Sequence, residues 1–185
     1  LNFKYEGFFV EFGATDGVSL SNTYLLEKEY NFDGILGEPN PKQWKNLKKD
    51  RNVKFEEKCV WSKSGEKLSF IGSGDLSTIY EFADTDSYAI NRRNRSRFEV
   101  DTISLTDMLE KHHAPSLIDY LSIDTEGSEY EILRAHDFEK FKFKIITVEH
   151  NYTKRRNDIF ELLTANGYIR KHTKLSHFDD WYVLP

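Results

Sequence analysis

The sequence predicts an α/β fold, with a mainly parallel sheet and helices on both faces, in a single domain over residues 1–185. Three observations carry this reading. Short apolar runs alternate with capped segments that bear a helical apolar stripe, the pattern of parallel strands joined by helical crossovers. The first run, Phe8 to Val10, stops at a turn bracketed by Gly13 and Gly17 that leads into a helix. Acidic residues stand at the ends of four runs: Glu11, Glu38, Asp124 and Glu149.

Taken in order, Ser21, Asn22 and Thr23 offer caps for a helix reaching Tyr30, with Tyr24, Leu25 and Leu26 inward. Gly34 to Gly37 is the second strand. Asn40-Pro41 opens a second helix, Asn as cap and Pro at the first helical position, with Trp44 and Leu47 as its stripe. Asn52 to Trp61 reads as one strand, and Lys67 to Ile71 pairs with it as a hairpin through Ser64-Gly65. Residues 72–98 lack a helical period and carry Arg92, Arg93, Arg95 and Arg97, which read equally as a solvated basic loop or a grip on an anionic acceptor. Val100 to Ile103 is a short strand, and Ser104-Leu105-Thr106-Asp107 caps a helix to about Lys111. Ile118 to Asp124 is a strongly apolar strand, and Ser128-Glu129-Tyr130-Glu131 again has the capping-box form. Lys144 to Glu149 is a strand, and Asn157 to Asn166 a helix stopped by Gly167. Tyr168 to His172 and Trp181 to Leu184 have no helix between them, so they pair antiparallel.

Composition narrows the function. A net charge of −5 argues against nucleic acid or anionic lipid as partner, and no apolar run approaches a membrane span. One cysteine, Cys59, excludes an internal disulfide and fits a reducing, cytoplasmic setting. The chain starts at Leu1 with a strand almost at once, so a domain of a longer polypeptide with neighbouring domains is expected.

In open α/β sheets ligands bind beyond the carboxyl ends of the strands, where the four acids would converge. Glu38, just over 20 residues past the glycine turn, is placed to accept hydrogen bonds from a ribose diol. Clustered carboxylates either share a hard cation such as Mg²⁺ or Ca²⁺, here through Asp124 and Glu149, or crowd one another until one keeps a proton. His150 is the candidate neutral-pH proton acceptor beside them. Zinc is disfavoured by the lone cysteine and the adjacent, divergent His112-His113.

The ordered motifs Phe9-Val10-Glu11-Phe12-Gly13-Ala14-Thr15-Asp16-Gly17, Ser21-Asn22-Thr23, Gly37-Glu38-Pro39-Asn40-Pro41, Ile123-Asp124-Thr125-Glu126-Gly127-Ser128-Glu129 and Val148-Glu149-His150-Asn151 resemble the FkbM family of S-adenosylmethionine-dependent methyltransferases. Thr15 departs from the Asn more usual there. The resemblance implies a Rossmann-like class I methyltransferase fold of seven strands, with a reversed last strand at the sheet edge. It implies that Glu11, Gly13, Ala14, Asp16 and Gly17 form the cofactor turn, with Ser21, Asn22 and Thr23 near the methionine end. Glu38 and Asn40 would then attend the ribose, and Val60 and Trp61 flank adenine. Asp124, Glu126, Glu149 and His150 would serve catalysis. O-methyl transfer to a sugar, glycan or other small-molecule hydroxyl is the implied reaction, with residues 72–98 on the acceptor side. A non-carbohydrate natural product as acceptor and a silent binding module are the competing readings.

Overall fold

The computed structural model describes residues 4–175 and 177–185. Its main sheet has seven strands in the order β10-β11-β9-β8-β1-β2-β3. Five consecutive strands, β9 (Lys142–Glu149), β8 (Leu117–Ile123), β1 (Phe8–Phe12), β2 (Asp33–Gly37) and the edge strand β3 (Lys54–Glu56), are parallel to one another. β10 (Ile169–Lys171) and β11 (Asp179–Val183) form an antiparallel pair, and β11 runs antiparallel to β9.

Alternation along each strand sends side chains to two cores. Val10, Phe12, Ile35, Leu121, Ile123, Ile146 and Val148 share one core with Met108 and Leu109 of α4 (Leu105–Lys111), Ile132 and Leu133 of α5 (Glu129–Arg134), and Ile159 and Leu163 of α6 (Arg155–Ala165). Their alternates Phe9, Leu36 and Tyr120 share the other with Leu47 of α2 (Trp44–Asp50) and the half-buried Leu26 and Tyr30 of α1 (Tyr24–Tyr30). Helices therefore cover both faces. The parallel strands are apolar on both sides for the same reason.

A second sheet, in the order β4-β7-β5-β6, stands beside the carboxyl ends of the first. It contains β4 (Cys59–Trp61), β5 (Lys67–Gly72), β6 (Thr78–Ile79) and β7 (Ser96–Ser104). Residues 72–98 hold β6, two 3₁₀ turns (Gly74–Leu76 and Tyr80–Phe82), α3 (Ala89–Arg92) and the first residues of β7. Among the described residues no helix is long and apolar enough to cross a membrane.

Several local expectations are corrected. The expected strand Asn52 to Trp61 is two strands in different sheets, because Glu56 folds back: its carboxylate accepts from the Lys58 N–H at 3.1 Å and from Lys111 Nζ at 2.7 Å. The hairpin of β4 with β5 does not form, since β7 lies between them, parallel to β4 and antiparallel to β5. The last strand is not at the edge; short, charged β10 takes that place, as suits an exposed edge. Leu25 is exposed, because two turns of α1 present only Leu26 and Tyr30 to the core. The helix expected at Pro41 begins at Trp44, and Asn40 instead holds the preceding turn by accepting from the Lys42 N–H at 3.1 Å. Ser104 does cap α4, accepting from the Asp107 N–H at 3.1 Å. Ser128 caps nothing; the Glu129 carboxylate reaches back to the N–H groups of Thr125 and Gly127 at 2.9 and 3.0 Å.

Candidate active site

The turn after β1 is shaped by close approach of backbone to backbone. Gly13 has φ +81°, and any Cβ there would overlap the Asp124 carbonyl oxygen. The Asp124 N–H donates to the Phe12 carbonyl at 3.3 Å, so the tips of β1 and β8 touch. The N–H groups of Gly13 and Ala14 donate to the Gly37 carbonyl, tying in the tip of β2. Beyond it, the Glu38 carboxylate accepts from the N–H groups of Thr15 at 2.9 Å and Asn40 at 2.8 Å. Two further acceptor positions of that carboxylate stay open for a ligand. Burial pushes Glu38 up to about 7, against the two backbone donors.

A buried polar network supports the turn from behind. Glu11 accepts from Ser21 Oγ at 2.7 Å, from the Asn22 N–H at 2.8 Å and from Thr23 Oγ1. Burial raises its pKa, and these donors together with Arg51 oppose the rise. Arg51 is itself buried; it donates to the Gly17 carbonyl at 2.7 Å, to Ser21 Oγ and Thr23 Oγ1 at 2.9 Å, and to Glu27. The guanidinium thereby fixes the carbonyl that ends the glycine turn.

Two chambers open along the strand ends and share Phe12, Gly13, Thr15, Asp75 and Asp124. The first brings Gly13, Glu38 and Asp124 onto one surface and is walled by Cys59, Val60, Phe70 and Ile79. Burial and the nearby Glu38 charge push the Cys59 thiol up to about 12, so it serves as an apolar wall and not as a nucleophile. The second is rich in oxygens: Glu11, Asn22, Ser122, Asp124, Glu126 and Glu149 face it.

In that second chamber carboxylate oxygens of Asp124, Glu126 and Glu149 lie within 4.8 Å of one another. At this spacing the negative charges of Asp124, Glu126 and Glu149 oppose full ionisation, so a carboxyl of the group keeps its proton. Asp124 is exposed to the cleft, whereas Glu126 and Glu149 are buried, so the retained proton belongs mainly with Glu149. Desolvation and then the charges of Asp124 and Glu126 raise Glu149 far above the usual carboxylate range. Desolvation also raises Glu126, to about 8, although Arg92 and Asn151 donate to its carboxylate at 2.8 and 3.1 Å.

His150 turns elsewhere. Its Nδ1 accepts from the Tyr152 N–H at 3.0 Å, which leaves the proton on Nε2, and Nε2 stands 3.9 Å from Asp180. Burial, then Arg156, lowers its pKa.

A family model described as the methyltransferase FkbM domain matches residues 11–170. The chain belongs to the FkbM methyltransferase family. Among solved structures, the FkbM methyltransferase from Methylobacillus flagellatus superposes with a TM-score of 0.56 at 14% identity, covering 97% of this chain and 44% of that one. This chain thus spans under half the length of that relative. A precorrin-6y C5,15-methyltransferase from Geobacter metallireducens gives 0.53 at 14% identity, over 99% of this chain and 81% of that one. At such identity these two likenesses speak for the fold, a Rossmann-like methyltransferase. No curated protein matches the chain. As an FkbM methyltransferase it uses S-adenosylmethionine as methyl donor.

Of the residues the sequence singled out, Gly13, Glu38, Val60 and Asp124 line the first chamber, and Glu11, Asn22, Asp124, Glu126 and Glu149 the second. Ala14, Gly17, Ser21, Thr23 and Asn40 sit behind the lining and shape it. Asp16 closes a local turn by accepting from the N–H groups of Val18 and Ser19. Trp61 packs edge-on against Phe82, outside both chambers, because β4 presents Cys59 and Val60 instead. His150 lines neither chamber. Sequence reasoning missed Arg51, Phe70 and Ile79, and grouped Arg92 with a solvated or anion-gripping cluster, whereas it is buried on Asp86 and Glu126; the alternation of Leu68 and Phe70 was the one available signal for the wall.

Proposed function

We propose that this FkbM methyltransferase methylates a hydroxyl of a sugar or glycan, with the Asp124–Glu149 pair as its base. The observation that supports this most is the pair itself: two carboxyl groups with oxygens within 4.8 Å of each other, lining an oxygen-rich chamber that adjoins the Gly13–Glu38 turn. The first chamber suits the donor. Gly13 lets backbone approach closely, Glu38 keeps acceptors for a ribose diol, and Val60, Phe70 and Ile79 offer apolar faces for adenine. S-adenosylmethionine supplies an already activated methyl group, so the protein's work is alignment and proton removal.

An aliphatic hydroxyl is a poor nucleophile at neutral pH. In the proposed reaction the hydroxyl oxygen forms the new C–O bond as the C–S bond breaks, and its proton passes to the ionised member of the Asp124–Glu149 pair. Ser122 and Asn22, which face the same chamber beside Asp124, Glu126 and Glu149, suit an acceptor with several hydroxyl donors. That density of oxygens favours a carbohydrate over an apolar natural product. His150 has no place in this scheme, since neither of its nitrogens faces the chamber.

The test is methyl transfer over a panel of glycans, read by mass spectrometry of the product. Asp124→Asn combined with Glu149→Gln should lower transfer by roughly 10²–10⁴-fold. Undiminished transfer by the double variant would remove the base from this pair. Loss of transfer on exhaustive chelation would instead favour a divalent cation, Mg²⁺ or Ca²⁺, between the same carboxylates.

A further inference from the structure

Residues 72–98 supply a buried cation to the acidic chamber. Arg92, 3% exposed at the end of α3, spends all five of its N–H donors inside the protein. Nε donates to the Leu76 carbonyl at 2.8 Å, and Nη1 to the Ala83 carbonyl at 3.2 Å. The fork is bidentate on Asp86, at 2.7 and 2.8 Å, and Nη2 donates to Glu126 Oε2 at 2.8 Å. Next to it Thr78 Oγ1 donates to the Glu126 carbonyl at 2.9 Å, while Glu126 itself holds φ +58°, a left-handed conformation that a non-glycine residue adopts at a cost. Glu126 is therefore gripped at backbone and side chain by the segment whose Asp75, Leu76 and Tyr88 wall the chamber.

We propose that Arg92 is a positioning residue: it pins the Glu126 carboxylate, which borders the chamber, against residues 72–98, so that Glu126 does not turn toward the transferring methyl group. This rests on the reading of the acidic chamber as the reaction site. The geometry separates Arg92 from its neighbours Arg93 and Arg95, whose exposed side chains the sequence groups with it. Replaced by a residue without the fork, Arg92 would release a carboxyl that already borders the chamber, free to turn inward and ionise beside a cation held there.

Two probes read this without knowledge of the acceptor: S-adenosylhomocysteine, neutral at sulfur, and sinefungin, its analogue with an ammonium-bearing carbon where the sulfonium methyl would be. Calorimetry with both should show Arg92→Ala tightening sinefungin relative to S-adenosylhomocysteine by about fivefold or more, the size expected of one added partly solvated charge contact. In a Glu126→Gln background the same substitution should change the ratio less than about twofold, because the group Arg92 restrains is gone. A merely structural arginine would weaken both probes together and leave the ratio fixed, which overturns the proposal. Equal shifts in the two backgrounds overturn it as well. Should Arg92→Ala not fold, Arg92→Lys keeps the charge without the fork, and the ratio should move in the same direction. If neither probe binds the unsubstituted protein, it is the donor site that fails, a result distinct from an unchanged ratio.

Discussion

Gly13→Ala tests the close approach on which the cleft depends. Alanine at φ +81° costs about 1 kcal/mol from the backbone alone. The added methyl meets the Asp124 carbonyl oxygen, and that carbonyl is held against rotation because it shares a peptide plane with the Thr125 N–H, bound to Glu129 at 2.9 Å. Relief requires the tips of β1 and β8 to part. That strains the bonds from Gly13 and Ala14 to Gly37, each worth about 1 kcal/mol, and adds an overpacking cost of about 1–3 kcal/mol. The sum is roughly 4–6 kcal/mol, or a fall in Tm on the order of 10 °C for a chain of this size. Gly65→Ala is the control: φ there is +80°, yet nothing lies within 4 Å of the added methyl, so only the backbone cost of about 1 kcal/mol applies. Urea denaturation of both variants, with S-adenosylhomocysteine calorimetry on each, isolates the overlap. Equal losses for the two glycines, with binding intact in Gly13→Ala, would refute the reasoning.

Three other outcomes follow from the site. Glu38 is raised by burial from an ordinary 4.5 to about 7, so its stabilising contribution is complete below pH 4.5 and is lost as pH rises through 7. Glu38→Gln should therefore gain stability relative to the unsubstituted protein across that window, measured by urea denaturation at several pH values; a flat difference would refute it. Arg51→Met strands Glu11 and Glu27 without their buried cation and should cost about 3–5 kcal/mol in the same assay, with weakened S-adenosylhomocysteine binding by calorimetry. For the proposed base, activity should fall on the acid side at a pH above the ordinary carboxylate range. Glu149→Gln, which replaces a carboxyl that already holds its proton, should leave that limb in place, whereas Asp124→Asn should abolish it; this is read from the pH profile of transfer to whichever glycan proves an acceptor.

The parallel core was legible because each of its elements is self-consistent over a short window. Phe8 to Phe12, Asp33 to Gly37 and Leu117 to Ile123 are apolar on both faces, and buried parallel strands need nothing else. Ser104 as a cap and Gly167 at the end of α6 are equally local. The small sheet was not legible, for the opposite reason. β4 and β5 are neighbours in sequence with a turn between them, and the sequence alone makes them a hairpin. Only the arrival of β7, whose residues 96–104 come from far along the chain, displaces that pairing.

The site divides along the same line. Strand-end position made Glu11, Glu38, Asp124 and Glu149 visible, since the topology of an open α/β sheet dictates where its carboxyl ends face. What those positions could not reveal is how the charges are balanced. Arg51 and Arg92 are the cations that hold the glycine turn and the acidic chamber, and both look in sequence like surface residues, one after a lysine-rich helix, the other in an arginine cluster. A buried arginine is tolerable only where several acceptors meet it, and those acceptors are drawn from Gly17, Ser21, Thr23 and Glu27 for one, and from Leu76, Ala83, Asp86 and Glu126 for the other. No window of sequence contains either set with its arginine and shows them converging. Strand ends thus announce where an FkbM methyltransferase gathers its acids, while the residues that restrain those acids emerge only when distant segments are packed together.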